Sequence, residues 1–152
     1  MRPIIENGDY LDVLPNVQNY LPGDIVVFRI QGELVVHRIV DISREMGELR
    51  FITKGDMMLR CDKAIRKDEI YGKVVCIIKA NGGRKTDCAR LAALFLTIAR
   101  LSSELSRLNE FVSSSRSGQS PAPSRLGNQF MRIWIGIFYM LIKAAVELHN
   151  LK

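Results

Sequence analysis

The pattern that most constrains this chain is a series of β-branched apolar runs in residues 1–80, separated by short turns rich in glycine, asparagine and proline. Runs of this kind favour strands of a sheet over helices. Two-residue turns at 31–32 and 46–47, each ending in glycine, predict hairpin connections between successive runs. The predicted strands are Tyr10–Leu14, Asp24–Ile30, Glu33–Ile42, Glu48–Lys54 and Ile70–Ala80.

The periodicity changes after residue 80. Between residues 86 and 112 the apolar side chains recur every three or four positions, which predicts an amphipathic helix. These residues are Leu91, Leu94, Ile98, Leu101, Leu105, Leu108 and Val112. Residues 113–124 have the composition of a linker, and residues 128–151 predict a second helix. We therefore expect a mainly β domain over residues 1–80 and a tail over residues 81–152 that forms an α-helical hairpin, α+β overall.

The net positive charge of the chain lies in the tail. Residues 1–80 hold 12 basic and 12 acidic side chains, whereas residues 81–152 hold 10 basic and 4 acidic ones, which accounts for the net charge of +6. A basic and partly apolar tail favours an anionic membrane surface as partner. Nucleic acid is not expected as a partner, because the basic residues are scattered along helices without interleaved aromatic residues.

The most apolar part of the tail is Ile133–Ile142, ten uncharged residues between Arg132 and Lys143. A membrane span needs roughly 17–25 apolar residues, so this stretch predicts an interfacial helix or a core helix. The first residues lack the apolar run of a secretory signal. We expect a protein that associates peripherally with the membrane, or a cytoplasmic one if the tail only packs on the domain.

The three cysteines, Cys61, Cys76 and Cys88, form no C-x-x-C pair and have no histidine cluster beside them. Structural zinc sites use such pairs, and an odd number of cysteines does not support a disulfide framework. We therefore predict no metal and no cofactor, and we interpret the three thiols as reduced or buried.

Three residues carry the candidate chemistry: His37, Asp56 and Asp62. Strand alternation places His37 on the same side as Val35 and Ile39. A histidine in a strand is more often a hydrogen-bonded structural residue, but here carboxylates follow within reach. Asp56 follows a glycine at the end of the next predicted strand, where a tight turn brings it towards His37, and Asp62 is a second candidate for the same role. A carboxylate that orients a histidine is half of a Ser-His-Asp arrangement.

The same residues resemble type I signal peptidases of the S24/S26 type. The similar branch occurs in archaea, the endoplasmic reticulum and some Gram-positive bacteria, and uses histidine where the main bacterial branch uses lysine. The resemblance covers about residues 1–80. It rests on Met1-x-Pro3, Gly8-Asp9, Gly23-Asp24-Ile25-Val26-Val27-Phe28, His37-Arg38-Ile39, Thr53-Lys54-Gly55-Asp56 with Asp62 downstream, and Gly72–Val75.

The resemblance implies a signal-peptidase/repressor-cleavage-like β-fold, with His37 as general base and Asp56, Asp62 or both positioning it. It also implies that an extended signal or leader peptide binds beside the sheet edge, with small side chains at the cleavage positions. The nucleophilic serine of the family is expected immediately before Met1. Met57-Met58 replaces the asparagine that usually follows the Gly-Asp box, and the family's N-terminal anchor is not in the sequence.

Three interpretations follow. The first is a serine endopeptidase that cleaves signal or leader peptides, with a start assigned too late. The second is an inactive copy, a pseudopeptidase that binds an extended peptide by strand addition. The third is a self-cleaving repressor, which needs a serine–lysine dyad and usually a DNA-binding domain. Ser43 and the serines of the tail lie outside a Ser-Met-x-Pro context, so we do not expect a substitute nucleophile.

Overall fold

The computed structural model describes residues 4–58, 60–80, 85–89 and 91–114, with the single positions 136, 140 and 144. Within these ranges the chain forms one antiparallel sheet with one long helix packed on it. The mainly β prediction is therefore confirmed. The strands are β1 (Tyr10–Leu14), β2 (Ile25–Ile30), β3 (Glu33–Glu45), β4 (Glu48–Lys54), β5 (Ile65–Arg66), β6 (Ile70–Ile78) and β7 (Lys85–Asp87); a 3₁₀ turn spans Lys67–Glu69, and helix α1 spans Ala92–Ser114.

The strands run in the spatial order β1-β6-β2-β3-β4-β5, and every pairing is antiparallel. The short β7 pairs with the end of β6, beyond the part of β6 that pairs with β2. The longest strand, β3, has 13 residues and lies between β2 and β4. It therefore forms the middle of the part of the sheet that holds the candidate residues.

Tight turns connect β2 to β3 and β3 to β4. Gln31 and Gly32 have φ values of 50° and 92°, and Met46 and Gly47 have values of 50° and 84°. Two consecutive residues with positive φ form a type I′ turn, whose twist matches that of the flanking strands. Both predicted hairpins are confirmed, and the turns fix which residues of β3 face which neighbours.

The sheet has two faces with separate cores. The helix face packs under α1 and is built from buried residues of the sheet and of the helix: Ile4, Ile25, Val74, Ile77, Cys88, Leu91, Phe95 and Ile98. The aromatic face has its own core: Tyr20, Val26, Phe28, Ile39, Phe51, Ile65 and Ile70. Burial on both sides explains why the strands β2 and β6 contain long apolar runs with little polar alternation.

Asp9 fixes the turn that leads into β1. Its carboxylate accepts hydrogen bonds from the Glu6 amide at 2.8 Å, Lys79 Nζ at 2.7 Å and the Ala80 amide at 3.2 Å. Burial raises the pKa of Asp9, but these hydrogen bonds and the charge of Lys79 outweigh it, so that the pKa lies below the usual 3.8. The N-terminal turn is thus tied to the end of β6.

The structure differs from the sequence-based expectation in the region after residue 80. The helix begins at Ala92 rather than near residue 86, because Thr86 and Asp87 pair with β6 as part of β7. Helix α1 continues through Ser113 and Ser114, where the linker was expected to begin. The helical hairpin is not supported, since its second helix falls outside the described residues except at 136, 140 and 144. In the described part of the chain, no helix is long and apolar enough to cross a membrane.

Candidate active site

His37 lies in the middle of β3, opposite Val26 of β2, and its side chain is on the aromatic face. The edge of its ring meets the ring of Phe28, with the centroids 6.0 Å apart and the planes inclined by 67°. The side chain is mostly buried but retains access to solvent. Pairing of β3 with β2 on one side and β4 on the other fixes the backbone that carries the imidazole.

Asp62 orients this imidazole. His37 Nδ1 lies 2.6 Å from Asp62 Oδ2, and the hydroxyl of Thr53 donates to the same oxygen at 2.7 Å. The backbone amide of Asp62 also donates to the Thr53 carbonyl at 2.8 Å, which ties the loop to the end of β4. Because an ionised carboxylate only accepts hydrogen bonds, Nδ1 carries the proton of the neutral ring and Nε2 presents its lone pair.

Gly55 leaves room for that lone pair. A Cβ atom at this position would lie 3.0 Å from His37 Nε2 and 2.9 Å from Met58 Cγ. The turn after Gly55 is closed by the Met58 amide, which donates to the Gly55 carbonyl at 2.8 Å. A side chain at residue 55 would therefore press on Nε2 of His37.

Asp56 occupies a different place from the one expected for it. Its two oxygens accept hydrogen bonds from Arg38 Nε and Nη2, each at 2.9 Å, in a bidentate ion pair on the helix face. The physical reason is strand alternation: Arg38 follows His37 on β3 and therefore points to the opposite face, where its buried guanidinium requires an anion. The structure thus brings His37 together with Asp62, and Asp56 together with Arg38.

The remaining partners of Arg38 complete a buried site. Nη1 donates to the Gly23 carbonyl at 3.0 Å, and the guanidinium carbon lies 4.4 Å from the ring centroid of Phe95 on α1. Lys54, opposite Arg38 on β4, is buried as well. Burial lowers the pKa of Lys54, and the charges of Cys61 and Asp56 oppose that change. This face therefore contains charges that are held in place and kept from water.

Thr53 and Arg38 were not identified from the sequence. Thr53 is fully buried and supplies the second hydrogen bond to Asp62. The available signal was the pairing of strands: Thr53 and His37 lie on the same face once β3 and β4 form a hairpin. The signal for Arg38 was its position in an apolar strand, where an unpaired charge is not tolerated.

The serines of the described residues lie away from His37. Ser43 is six residues further along β3, about 20 Å at roughly 3.3 Å per residue, and pairs with Arg50 of β4. Ser102, Ser103 and Ser106 lie in α1 on the other side of the sheet. In the described ranges the histidine site thus consists of the hydrogen-bonded pair His37 and Asp62.

The described residues contain no group of three or more His, Cys, Asp and Glu side chains arranged to hold a metal ion. A cavity of about 550 Å³ lies between the sheet and the start of α1, with Leu21, Lys73 and Phe95 among its lining residues. His37, Asp56 and Asp62 do not line it. The cavity therefore belongs to the helix face and is separate from the histidine site.

Residues 1–75 match the family model described as Peptidase S24-like. This match supports placing the β domain in the S24/S26 superfamily, with a serine-peptidase-like fold. It includes His37, Asp56 and Asp62 and excludes α1. No curated protein and no solved structure matches the chain.

Proposed function

We propose that the β domain is a serine endopeptidase of the signal peptidase I type, which cleaves signal or leader peptides. His37 is its general base and Asp62 its orienting acid, and the nucleophile is a serine directly before Met1. The observation that supports this proposal best is the 2.6 Å contact between His37 Nδ1 and Asp62 Oδ2, which leaves Nε2 as the proton acceptor. The superfamily match over the same residues adds to it.

The mechanism follows from this geometry. Nε2 of His37 takes the proton of the serine hydroxyl while the serine oxygen attacks the carbonyl carbon of the scissile peptide bond. The imidazolium then gives that proton to the leaving amine as the carbon–nitrogen bond breaks. Water, deprotonated by the same nitrogen, releases the acyl group and regenerates the serine. Asp62 stabilises the positive charge of the imidazolium during each transfer and keeps the ring in one tautomer.

Asp56 has a positioning role in this proposal. Its oxygens are both engaged by Arg38 and none is directed at His37 in the described structure. Asp56 directly follows Gly55 within the turn closed by Met58. Holding its carboxylate in place therefore determines where the backbone next to Nε2 lies. Of the two acids expected to position His37, Asp62 does so by direct contact and Asp56 through the backbone.

The test compares two extended chains, one with serine and one with alanine directly before Met1. We expect the serine version to be labelled by a fluorophosphonate probe and to cleave a leader peptide with small residues at the cleavage positions. The alanine version and a His37→Ala variant of the serine version should do neither. If the serine version folds and is inert in both assays, the enzyme proposal is wrong.

A non-catalytic peptide-binding module is the second candidate. The strand β1 supports it, because Tyr10 and Leu14 are exposed there and β1 is the first strand in the order of the described strands, a position that allows strand addition. In this case the chain of 152 residues should bind the uncleaved leader peptide, and the serine-extended chain should bind it equally and leave it intact. Cleavage by the serine-extended chain would contradict this candidate.

We further propose that the tail docks the domain on a membrane surface through the apolar stretch Ile133–Ile142, which lies mostly outside the described residues. An interfacial helix of this kind binds by apolar burial together with attraction of basic residues to anionic lipids. Deletion of residues 115–152 should move the protein from sedimenting anionic vesicles to the supernatant. An unchanged partition would contradict this part of the proposal.

A further inference from the structure

Phe95 of helix α1 contacts Arg38 in the candidate site. Its ring lies under the guanidinium of Arg38, 4.4 Å from ring centroid to Cζ, and both side chains are almost completely buried. A cation within about 6 Å of an aromatic face is attracted to it, most strongly where water is excluded. Arg107, in a later turn of α1, also lies 3.4 Å from Asp41 of β3, but this pair is exposed and restrains the strand little. The buried Phe95–Arg38 contact is therefore the stronger of these two restraints on β3.

The guanidinium transmits this contact to Asp56. Arg38 has three hydrogen bonds in fixed directions, two to the Asp56 carboxylate and one to the Gly23 carbonyl. Because the guanidinium is planar and rigid, its orientation sets the orientation of the carboxylate. With Phe95 covering one side of that plane, Arg38 has little freedom to tilt.

Asp56 in turn fixes the backbone beside the imidazole. It is bonded directly to Gly55, whose α-carbon faces His37 Nε2 so closely that a Cβ there would be 3.0 Å from the nitrogen. Because Asp56 and Gly55 are adjacent in one tight turn, a displacement of Asp56 that reaches the backbone shifts the surface against which the imidazole rests. In this way contacts on the helix face reach a nitrogen on the aromatic face.

We propose that Phe95 is a positioning residue for His37, acting through Arg38, Asp56 and the Gly55 turn. This inference rests on the proposed role of His37 as general base. Phe95 lies in α1, outside residues 1–75 that match the peptidase family model. It acts by restricting the imidazole to the one orientation in which Asp62 holds Nδ1–H and Nε2 stays free.

The first test uses the chain as it is and does not depend on activity. Nitrogen-15 chemical shifts of the His37 ring, measured at a pH where the ring is neutral, report its tautomer. The substitution His149→Gln removes the signal of the other histidine. We expect a single Nδ1–H tautomer in the parent chain and in Phe95→Tyr, which keeps the ring face. In Phe95→Leu the shifts should move towards a mixture of tautomers.

Ile98→Val is the matched control, because Ile98 is equally buried on the same helix and belongs to the same core without being part of the Arg38 contact. It should keep the single tautomer even if it loses stability. Phe95→Met replaces Phe95→Leu if the latter does not unfold cooperatively, and the same mixture is expected. A single tautomer in either non-aromatic variant, or a mixture in Ile98→Val as well, would overturn the proposal.

The second test uses the serine-extended chain. Phe95→Leu should lower kcat about tenfold, equivalent to about 1.4 kcal/mol of transition-state stabilisation, and leave KM unchanged, because substrate contacts are not altered. Phe95→Tyr should keep the kcat of the parent serine-extended chain, and Ile98→Val should not reduce it. If the extended chain is inert but the tautomers change as expected, the proposed function is wrong and the positioning role stands. If the enzyme is active but the tautomers do not change, the function stands and the positioning role is wrong.

Discussion

Two consecutive residues of β3 bind carboxylates on opposite faces of the sheet. The side chains of His37 and Asp62 are 17% and 16% exposed, whereas those of Arg38 and Asp56 are 0% and 3% exposed. The first pair has access to solvent and contains an imidazole, a group that can accept and donate a proton. The second pair is kept from solvent and contains a guanidinium, which stays charged. Residue type and exposure together separate a pair suited to move protons from a pair suited to hold the backbone.

The difference in exposure between the two pairs distinguishes Asp56 from Asp62. Burying a carboxylate with a guanidinium gives a fixed structure whose loss leaves an unpaired charge in the interior. A carboxylate at the rim hydrogen-bonds one nitrogen of a histidine and, in the proposed mechanism, leaves the other nitrogen for the substrate. In that mechanism Asp62 orients the imidazole and Asp56 holds Arg38, although the sequence offers both acids as partners of His37.

The largest expected effect is on catalysis, from Asp62→Asn in the serine-extended chain. An amide at this position donates to Nδ1 and favours the wrong tautomer, so kcat should fall by about 10³–10⁴-fold, as in other Ser-His-Asp sites. The free energy of unfolding should change by about 1 kcal/mol or less, because the pair is partly exposed. Steady-state kinetics and urea unfolding measure the two. Asp68→Asn, at an exposed acid, is the control that should alter neither.

The second prediction concerns stability. Asp56→Asn leaves the Arg38 charge buried without an anion, and should lower the free energy of unfolding by about 3–5 kcal/mol in urea unfolding. The double variant Arg38→Met with Asp56→Leu removes both charges and should recover much of that loss. If Asp56→Asn lowers the free energy of unfolding no more than Asp62→Asn does, the two acids do not differ in their contribution to stability, and the proposed contrast between the two faces is wrong.

A smaller effect is expected for the hydroxyl that supports Asp62. Thr53→Val keeps the shape of a buried side chain but removes a hydrogen bond to a carboxylate, and should cost about 1.5–3 kcal/mol of unfolding free energy. Thr97→Val is the matched control, because Thr97 donates to a carbonyl in its own helix and is exposed; it should cost about 0.5 kcal/mol or less. Equal losses in the two variants would mean that Thr53 does not hold Asp62.

The smallest expected effect is a change in acid stability at Asp9, an acid held by the basic partner Lys79. Its pKa is lowered on folding, so it stabilises the folded protein above pH 3.8, the usual value, and that contribution disappears as the pH falls through the lower folded value. Thermal unfolding followed from about pH 5 downwards should show a shallower loss for Asp9→Asn than for the parent chain. If the thermal stabilities of Asp9→Asn and the parent chain fall in parallel as the pH falls, Lys79 does not favour the ionised form of Asp9.

How far the sequence predicts this structure differs between the sheet and the site. Alternating and β-branched runs, with a glycine as the second residue of each two-residue turn, specify β1 to β4, β6 and both hairpins, because these features act locally. The short strands β5 and β7 were missed, since two or three residues carry no periodicity and form only by pairing with β4 and β6.

The site was predicted as a set of residues but not as a set of contacts. His37 and two candidate acids follow from the order of residues along the chain. The choice of Asp62 over Asp56 as direct partner depends on the path of the loop between β4 and β5, which pattern analysis does not give. The same holds for Phe95, whose ring meets Arg38 only because α1 crosses β3 at that point.

The adjacency of His37 and Arg38 also protects the strand against mispairing. A shift of β3 by one residue would turn every side chain to the other face, moving the guanidinium away from Asp56 and the imidazole under the helix. Such a shift would bury an unpaired charge, a cost that few alternative pairings can offset. The register in which the chain folds most stably is therefore the one that assembles the histidine site, so correct folding and a competent site are selected by the same ion pair.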